Sequence, residues 1–410
     1  MGLAGGVRNL PWLFLCTLAA MLVATPLFGV LVTRFPRRQV FIPVLYRFFM
    51  LNLLIFCALL NLLPESADVH IGRVFYVWIS VFNLFAVSVF WAFMADGFRL
   101  RQSKRLFGFI AVGGTLGAIA GSALTANLVE PLGRVTLILL SVCLLEAAVQ
   151  CVRHLGRLFE RRAAGISAED ETTRQNSTET RPAGHDSAQP EGGFLNGILL
   201  TLRSPYLLAI TGYLFLYTLS STFLYFEQAH IVADAIAERA ARAALFARID
   251  LWVNILTLVT QVVLTGRIIP RLGVGPTLML LPALTALGFL GLGLAPVLTV
   301  LVIFQVLRRA GNYALVKPAR ETLYTVVSRE EKYKAKSFID TFVYRGGDAL
   351  GASAFGLLTP IGVGLAGIAF LAIPLALIWC IIGLYLGIKQ ARLTRGRTAE
   401  LSPATGTDPG

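Results

Sequence analysis

Two adjacent arginines, Arg308 and Arg309, stand inside an otherwise apolar run at residues 297–315. A charged group at bilayer depth costs roughly 2.5–3.5 kcal/mol, so one that is kept has a partner or a task. Gln305, Arg308 and Asn312 recur at i, i+3 and i+7, one face of a helix, and Lys317 and Arg320 follow near the same end. In the run 343–360, Arg345 and Asp348 stand at i and i+3 and can pair directly, with Asp340 and Tyr344 extending that face. Asp250, Asn254 and Gln261 share one face of the run 249–264, and Tyr213 and Tyr217 share one of 206–226. Arg47 lies early in 41–63, and Glu146 lies in 135–155.

Cations grouped among apolar helices suit an anion, because Arg–phosphate and Arg–carboxylate contacts are charge-assisted. The candidate substrate-binding residues are therefore Arg47, Arg308, Arg309, Asn312, Lys317, Arg320 and Arg345. Asp250, Asn254, Asp340, Asp348 and Arg34 are the candidates for coupling or gating. Structural alternatives stand beside these roles. Arg47 can snorkel to the interface. Arg345 and Asp348 can neutralise each other as a packing pair. Asn254 and Gln261 can hydrogen-bond between helices instead of lining a wet wall.

Other chemistries lack their residues. The five cysteines fall in apolar runs with no CxxC or Cys/His spacing, and the four histidines are scattered, so neither a metal site nor a cofactor is expected. His230 fits a solvated side chain. No GxxxxGK[ST] motif occurs. Gly113-Gly114-Thr115-Leu116-Gly117 sits within an apolar helix with no strand before it, which excludes a phosphate loop. The repeat Gly113, Gly117, Gly121 instead predicts that two helix backbones approach closely.

Helices must hold these side chains. The chain has 410 residues, 56% hydrophobic and 14% charged, with a mean hydropathy of +0.71. Soluble domains run near 45–50% apolar and about 25% charged, so an ordinary soluble enzyme is excluded. A membrane-spanning helix needs about 20 mostly apolar residues. Eleven runs answer to this: 11–32, 41–63, 74–94, 107–128, 135–155, 206–226, 249–264, 277–294, 297–315, 343–360 and 364–388. The pattern predicts an all-α polytopic membrane protein with eleven transmembrane helices. Nothing at the start reads as a cleavable signal peptide.

The net charge of +13 becomes topology when cations are counted by loop. Of 36 Lys and Arg, 28 fall in one alternating set of connections or at the run ends that adjoin it and 6 in the other set, with Arg47 and Arg345 set apart inside runs. Cytoplasmic loops collect Lys and Arg. The richer set is therefore cytoplasmic, the C-terminus is inside, and nucleic-acid binding is not needed to explain the charge. The polar stretch 156–193 reads as a disordered cytoplasmic linker by composition. It separates a five-helix half at 1–155 from a six-helix half at 194–390, with a cytoplasmic tail at 391–410. On the opposite side, residues 228–248 read as an interfacial helix.

The halves repeat. Gly29-x-Leu31-x-x-Arg34 and Gly266-x-Ile268-x-x-Arg271 lie 237 residues apart, each at a cytoplasmic helix end. Leu116-Gly117-Ala118 and Leu350-Gly351-Ala352 lie 234 apart. Projecting 206–226 back by that offset places a helix before Met1, so the first helix of a six-plus-six arrangement is expected to be missing.

Parallel six-helix halves joined by a cytoplasmic linker resemble the major facilitator superfamily. The segment from Gly29 to Arg38 is similar to that superfamily's loop motif, keeping Gly29, Leu31, Arg34, Arg37 and Arg38, with Thr33 for the acid and Pro36 for the glycine. Residues 313–340 resemble the bacterial and plastid ATP/ADP transporter family through Tyr313, Leu315, Pro318, Glu321, Tyr324, Lys334, Lys336 and Asp340. Arg320 replaces a lysine there, and Lys317 replaces an acid. The resemblance implies a secondary transporter of small organic anions, with ATP or ADP as one substrate class, in a bacterial inner membrane. The alternatives are an exporter of another small organic solute and a non-transporting membrane scaffold or sensor. The lipid bilayer and a small molecule are the expected partners, and oligomeric state is not legible.

A reporter fused after Gly410 tests the topology. Green fluorescent protein there fluoresces and alkaline phosphatase is inactive; the opposite pair of results inverts the assignment.

Overall fold

The computed structural model describes residues 10–34, 38–97, 100–174, 201–327, 339–358 and 362–401. Among these the chain is helix and turn, with no strand. Beyond its first turn, a helix satisfies its backbone donors within its own segment, which hydrocarbon surroundings demand. By internal contacts the chain forms two compact units. One is Met1–Gly117 with Asn127–Gln189, and the other is Ala118–Ala126 with Pro190–Gly410.

The first unit holds α1 (Leu10–Arg34), α2 (Arg38–Leu62), α3 (Asp68–Gly97) and most of α4 (Leu100–Arg174). The two runs 107–128 and 135–155 are the arms of α4. They meet at Gly133, whose φ of 71° is a conformation glycine adopts without steric cost, just after Pro131. The core here is aromatic. Phe49 meets Trp78, Phe82 and Phe85, and Trp78 stacks on Phe82 at 5.4 Å between centroids. The Arg134 guanidinium pairs with buried Asp68 at 2.8 Å, tying the second arm of α4 to the start of α3.

The second unit holds α5 (Pro205–Ala235), α6 (Arg239–Thr260), α7 (Gly266–Leu272), α8 (Val274–Leu294), α9 (Leu298–Gly311), α10 (Lys317–Leu323), α11 (Tyr344–Leu358) and α12 (Leu365–Leu401). Ser204 caps α5, its hydroxyl accepting from the Leu207 N–H, with Pro205 in the first turn. Three π-helical turns interrupt the set, at Gln261–Thr265, Asn312–Val316 and Ile339–Val343. The second precedes Pro318, which has no N–H for the Ala314 carbonyl and would clash with it in a regular α-helix, so the helix widens there. The core gathers Leu207, Ile210, Tyr213, Leu214, Leu278, Leu281 and Trp379.

Among the described residues, seven helical stretches are long and apolar enough to cross a membrane. They take in eight of the eleven expected runs. The other three fall on α1, whose apolar part is Pro11–Leu27, and on α9 and α11, which adjoin π turns.

Several expectations are corrected. The linker expected from residue 156 is helical to Arg174, because Arg, Glu and Ala there are good helix formers; residues 175–193 lie outside the described residues. α12 runs on into the tail segment as far as Leu401. No separate interfacial helix occupies 228–248. Residues to Ala235 continue α5 with Ala229, Ile231 and Val232 buried, and α6 begins at Arg239. His230 is not simply solvated, since its Nδ1 lies 2.8 Å from the Phe226 carbonyl and its ring tilts against Phe355.

The close glycine contacts also fall elsewhere than expected. Gly113, Gly117 and Gly121 have no described neighbour within reach of an added Cβ. In the second unit, a Cβ at Gly275 would sit 3.3 Å from the Gly387 Cα, joining α8 to α12. A Cβ at Gly351 would sit 3.0 Å from the Thr222 Cβ, and one at Gly347 would strike Thr218, so α11 and α5 meet closely too.

Overpacking of this kind costs typically about 1–3 kcal/mol. Gly387→Val should lower the melting temperature of the detergent-purified chain by several degrees, while Gly113→Ala leaves it within error or raises it. Equal, small effects would count against the α8–α12 contact.

Candidate functional site

The polar residues of the second unit line up along the seam between α5 and α9. Asn312 Nδ2 donates to the Tyr217 hydroxyl at 3.0 Å, Arg308 reaches Ser220 and Ser221, and Gln305 bonds Gln228. The pairing order shows that the helices run antiparallel. Gln305, Arg308 and Asn312 are all buried, so the face read from their spacing exists.

Arg308 is the centre of the seam and is only 3% exposed. Nε donates to the Thr285 hydroxyl at 3.2 Å. Nη2 donates to Ser221 Oγ at 2.8 Å, Ser220 Oγ at 3.1 Å and the Tyr217 carbonyl at 3.4 Å. Both serine hydroxyls donate in turn to the Tyr217 carbonyl, and that of Thr285 donates to Leu281, which leaves their lone pairs for the guanidinium. Cζ lies 5.3 Å from the centroid of the Tyr217 ring, a cation–π distance. That ring is in turn held by Tyr344 and Trp379, each 5.9 Å away. Every partner is neutral. Arg308 is in neither the Arg309–Asp250 nor the Arg345–Asp348 ion pair of this unit.

The other candidates divide. Arg309 points away from the seam and pairs with Asp250 at 2.6 Å, both side chains more than a third exposed. Arg345 and Asp348 pair at 3.7 Å, and the Thr222 hydroxyl donates to Asp348 at 3.1 Å. The Gly347 and Gly351 contact with α5 brings that carboxylate within reach of Thr222. Lys317 is exposed, and the buried Arg320 Nε has no hydrogen-bond partner. Asn254 donates to Ser122 Oγ at 3.4 Å, and Gln261 to the Tyr313 carbonyl at 3.4 Å, where the π turn frees that oxygen from regular pairing. Both act as interhelical bonds.

Arg47 belongs to the first unit, where it makes a two-pronged bond to Glu146 at 2.8 and 3.3 Å. Glu146 also accepts from Gln150. The side chains of Arg34 and Asp340 lie outside the described set, as do Lys334 and Lys336.

Spacing alone missed Ser220, Ser221, Thr222 and Thr285, and the burial of Glu227, which is 1% exposed with Oε1 unpartnered. The first four carry a faint signal, small hydroxyls clustered inside apolar runs.

No protein-family model matches this chain, and no curated protein matches it. Its structure is similar to solved transporters. A POT family transporter in complex with 5-aminolevulinic acid aligns at TM-score 0.55 and 12% identity, covering 95% of this chain and 88% of that one. An auto-inhibited POT family peptide transporter aligns at TM-score 0.57 and 15% identity, covering 94% and 88%. The nucleoside transporter NupG aligns at TM-score 0.54 and 11% identity, covering 95% and 91%. The fold is the one these solved transporters share.

The Arg309–Asp250 pair is half in solvent, so its coupling should be modest, about 0.2–1 kcal/mol. Arg309→Ala and Asp250→Ala should each cost a little in thermal stability, and the double variant no more than the worse single one. Full additivity would mean that the two do not interact.

Proposed function

We propose that this chain is a secondary transporter of a small organic anion and that Arg308 supplies the charge that holds it. One observation carries the reading: a permanent cation is buried among hydroxyls, a carbonyl and an aromatic ring, with no carboxylate paired to it among the described residues. A buried charge without a counter-ion is costly. Evolution tolerates that cost where a ligand completes the balance. Serine and threonine hydroxyls fix the guanidinium without neutralising it. Asn312 and Tyr217, which bond each other beside Arg308, would share the task, with the Arg345–Asp348 pair as a further candidate.

The fold supports the transport class. Such folds work by alternating access, in which one helical repeat rocks against the other around a midplane site. Of the similar solved proteins, one is in complex with 5-aminolevulinic acid, one is a peptide transporter and one a nucleoside transporter. The finer form of the proposal is a nucleotide, exchanged as ATP for ADP, and its support is the sequence likeness at residues 313–340. Arg320 and Lys317 would then meet the outer phosphates, and Asp348 or Asp250 would serve the gate. The halves at 1–155 and 194–390 are the proposed moving bodies, with the C-terminus in the cytoplasm.

Proteoliposomes holding the full chain test both levels. Counter-flow of labelled ADP against internal ATP is the first assay, followed by a panel of labelled carboxylates and phosphates. Arg308→Ala should cut uptake at least 10-fold, consistent with loss of a charged hydrogen bond of about 1.5–3 kcal/mol. Arg308→Lys should keep part of it. Wild-type uptake by the alanine variant would overturn the anion reading, and uptake of other anions but not ADP would overturn the nucleotide form alone.

A further inference from the structure

The first unit holds a cavity apart from the site around Arg308. It has a volume of about 610 Å³ and lies between α1 and α3, lined by Trp12, Leu13 and Cys16 on one side and Arg73, Val74, Val77 and Trp78 on the other. The spacings i, i+1, i+4 and i, i+1, i+4, i+5 place each set on a single helix face. Its walls are hydrocarbon and indole, apart from the Cys16 thiol. Arg73 is the only charged side chain among them.

The Arg73 Nε is buried and has no hydrogen-bond partner. A buried donor of this kind calls for an acceptor. The carboxylate nearest in sequence is Asp68, and Arg134 already holds it at 2.8 Å. Among the described residues no acceptor reaches Arg73 Nε, and a bound ligand can supply one.

Depth and shape narrow what it is. Arg73 follows the first residue of α3 by five positions, about 7.5 Å along the axis. For a helix that begins at the membrane surface, this is head-group level. Val74, Val77 and Trp78 continue the wall toward the hydrocarbon. Trp12 is 70% exposed and Val74 61%, so the groove opens sideways, where a bilayer would lie. A small hydrophilic anion would leave those walls against water. A neutral hydrocarbon would leave the guanidinium without an acceptor. A molecule with a phosphate at one end and an alkyl chain at the other satisfies both.

We propose that the groove between α1 and α3 binds a glycerophospholipid, its phosphate on Arg73 and one acyl chain between Trp12 and Trp78.

Native mass spectrometry of the full chain with dioleoylphosphatidylglycerol tests this. One lipid should be retained in preference to the rest. Arg73→Gln should weaken its retention at least 10-fold, and Arg73→Lys should recover part of it. Val77→Trp fills the groove while sparing the guanidinium, and should also displace the lipid. A phosphatidylglycerol carrying a photoreactive acyl chain should label residues 11–16 and 73–78. Equal retention by wild type and Arg73→Gln overturns the proposal. So does label spread evenly over the exposed helices, cross-linking to a protein segment lodged there instead, or full displacement of the lipid by free glycerol phosphate.

Discussion

A guanidinium surrounded by neutral groups sets the terms for the second unit. Arg308 cannot lose its charge, because arginine stays protonated in proteins, and it is buried. Three hydroxyls, one carbonyl and a ring must therefore stand where they do. Those demands fix α5 and α8 relative to α9, since Ser220 and Ser221 lie on the first and Thr285 on the second. Tyr217 takes part twice, through its carbonyl and through its ring. Its place in turn depends on Trp379 of α12 and Tyr344 of α11. The seam is thus a small polar network whose members constrain one another, of the kind in which partial satisfaction is costly.

The neighbouring arginine shows how much one position matters. Arg309 turns about 100° around the helix from Arg308. It finds Asp250 there and becomes an ordinary, half-solvated ion pair. Two residues of the same type, adjacent in sequence, thus hold opposite electrostatic positions. Among the described residues, one is paired with a carboxylate and one is not.

What the sequence could convey was local. The faces Gln305–Arg308–Asn312 and Arg345–Asp348 were legible because helical spacing decides them. The link from Arg309 to Asp250 spans 59 residues and from Arg47 to Glu146 spans 99, and no spacing rule reaches that far. The glycines make the same point. Gly113-x-x-x-Gly117 and Gly347-x-x-x-Gly351 look alike as strings. The second is a close contact because Thr218 and Thr222 on α5 face it. The helical membrane class was plain from composition. The helical stretch from 156 to 174 was not, because its polar residues resemble a linker while its Arg, Glu and Ala favour helix.

The π turn at Asn312–Val316 has a geometric consequence for the cations beyond it. In a regular α-helix each residue advances about 100°. Arg320 follows Arg308 by twelve positions and would point about 120° away from it. A π turn adds roughly one residue that contributes no net advance along the helix phase. Counting eleven effective steps, Arg320 returns to within about 20° of Arg308, while Lys317 is left about 80° off. Their surroundings match, with Arg320 Nε buried and Lys317 exposed. The widened turn thus acts as a phase corrector, carrying the azimuth of one arginine across a proline-bearing junction to the next.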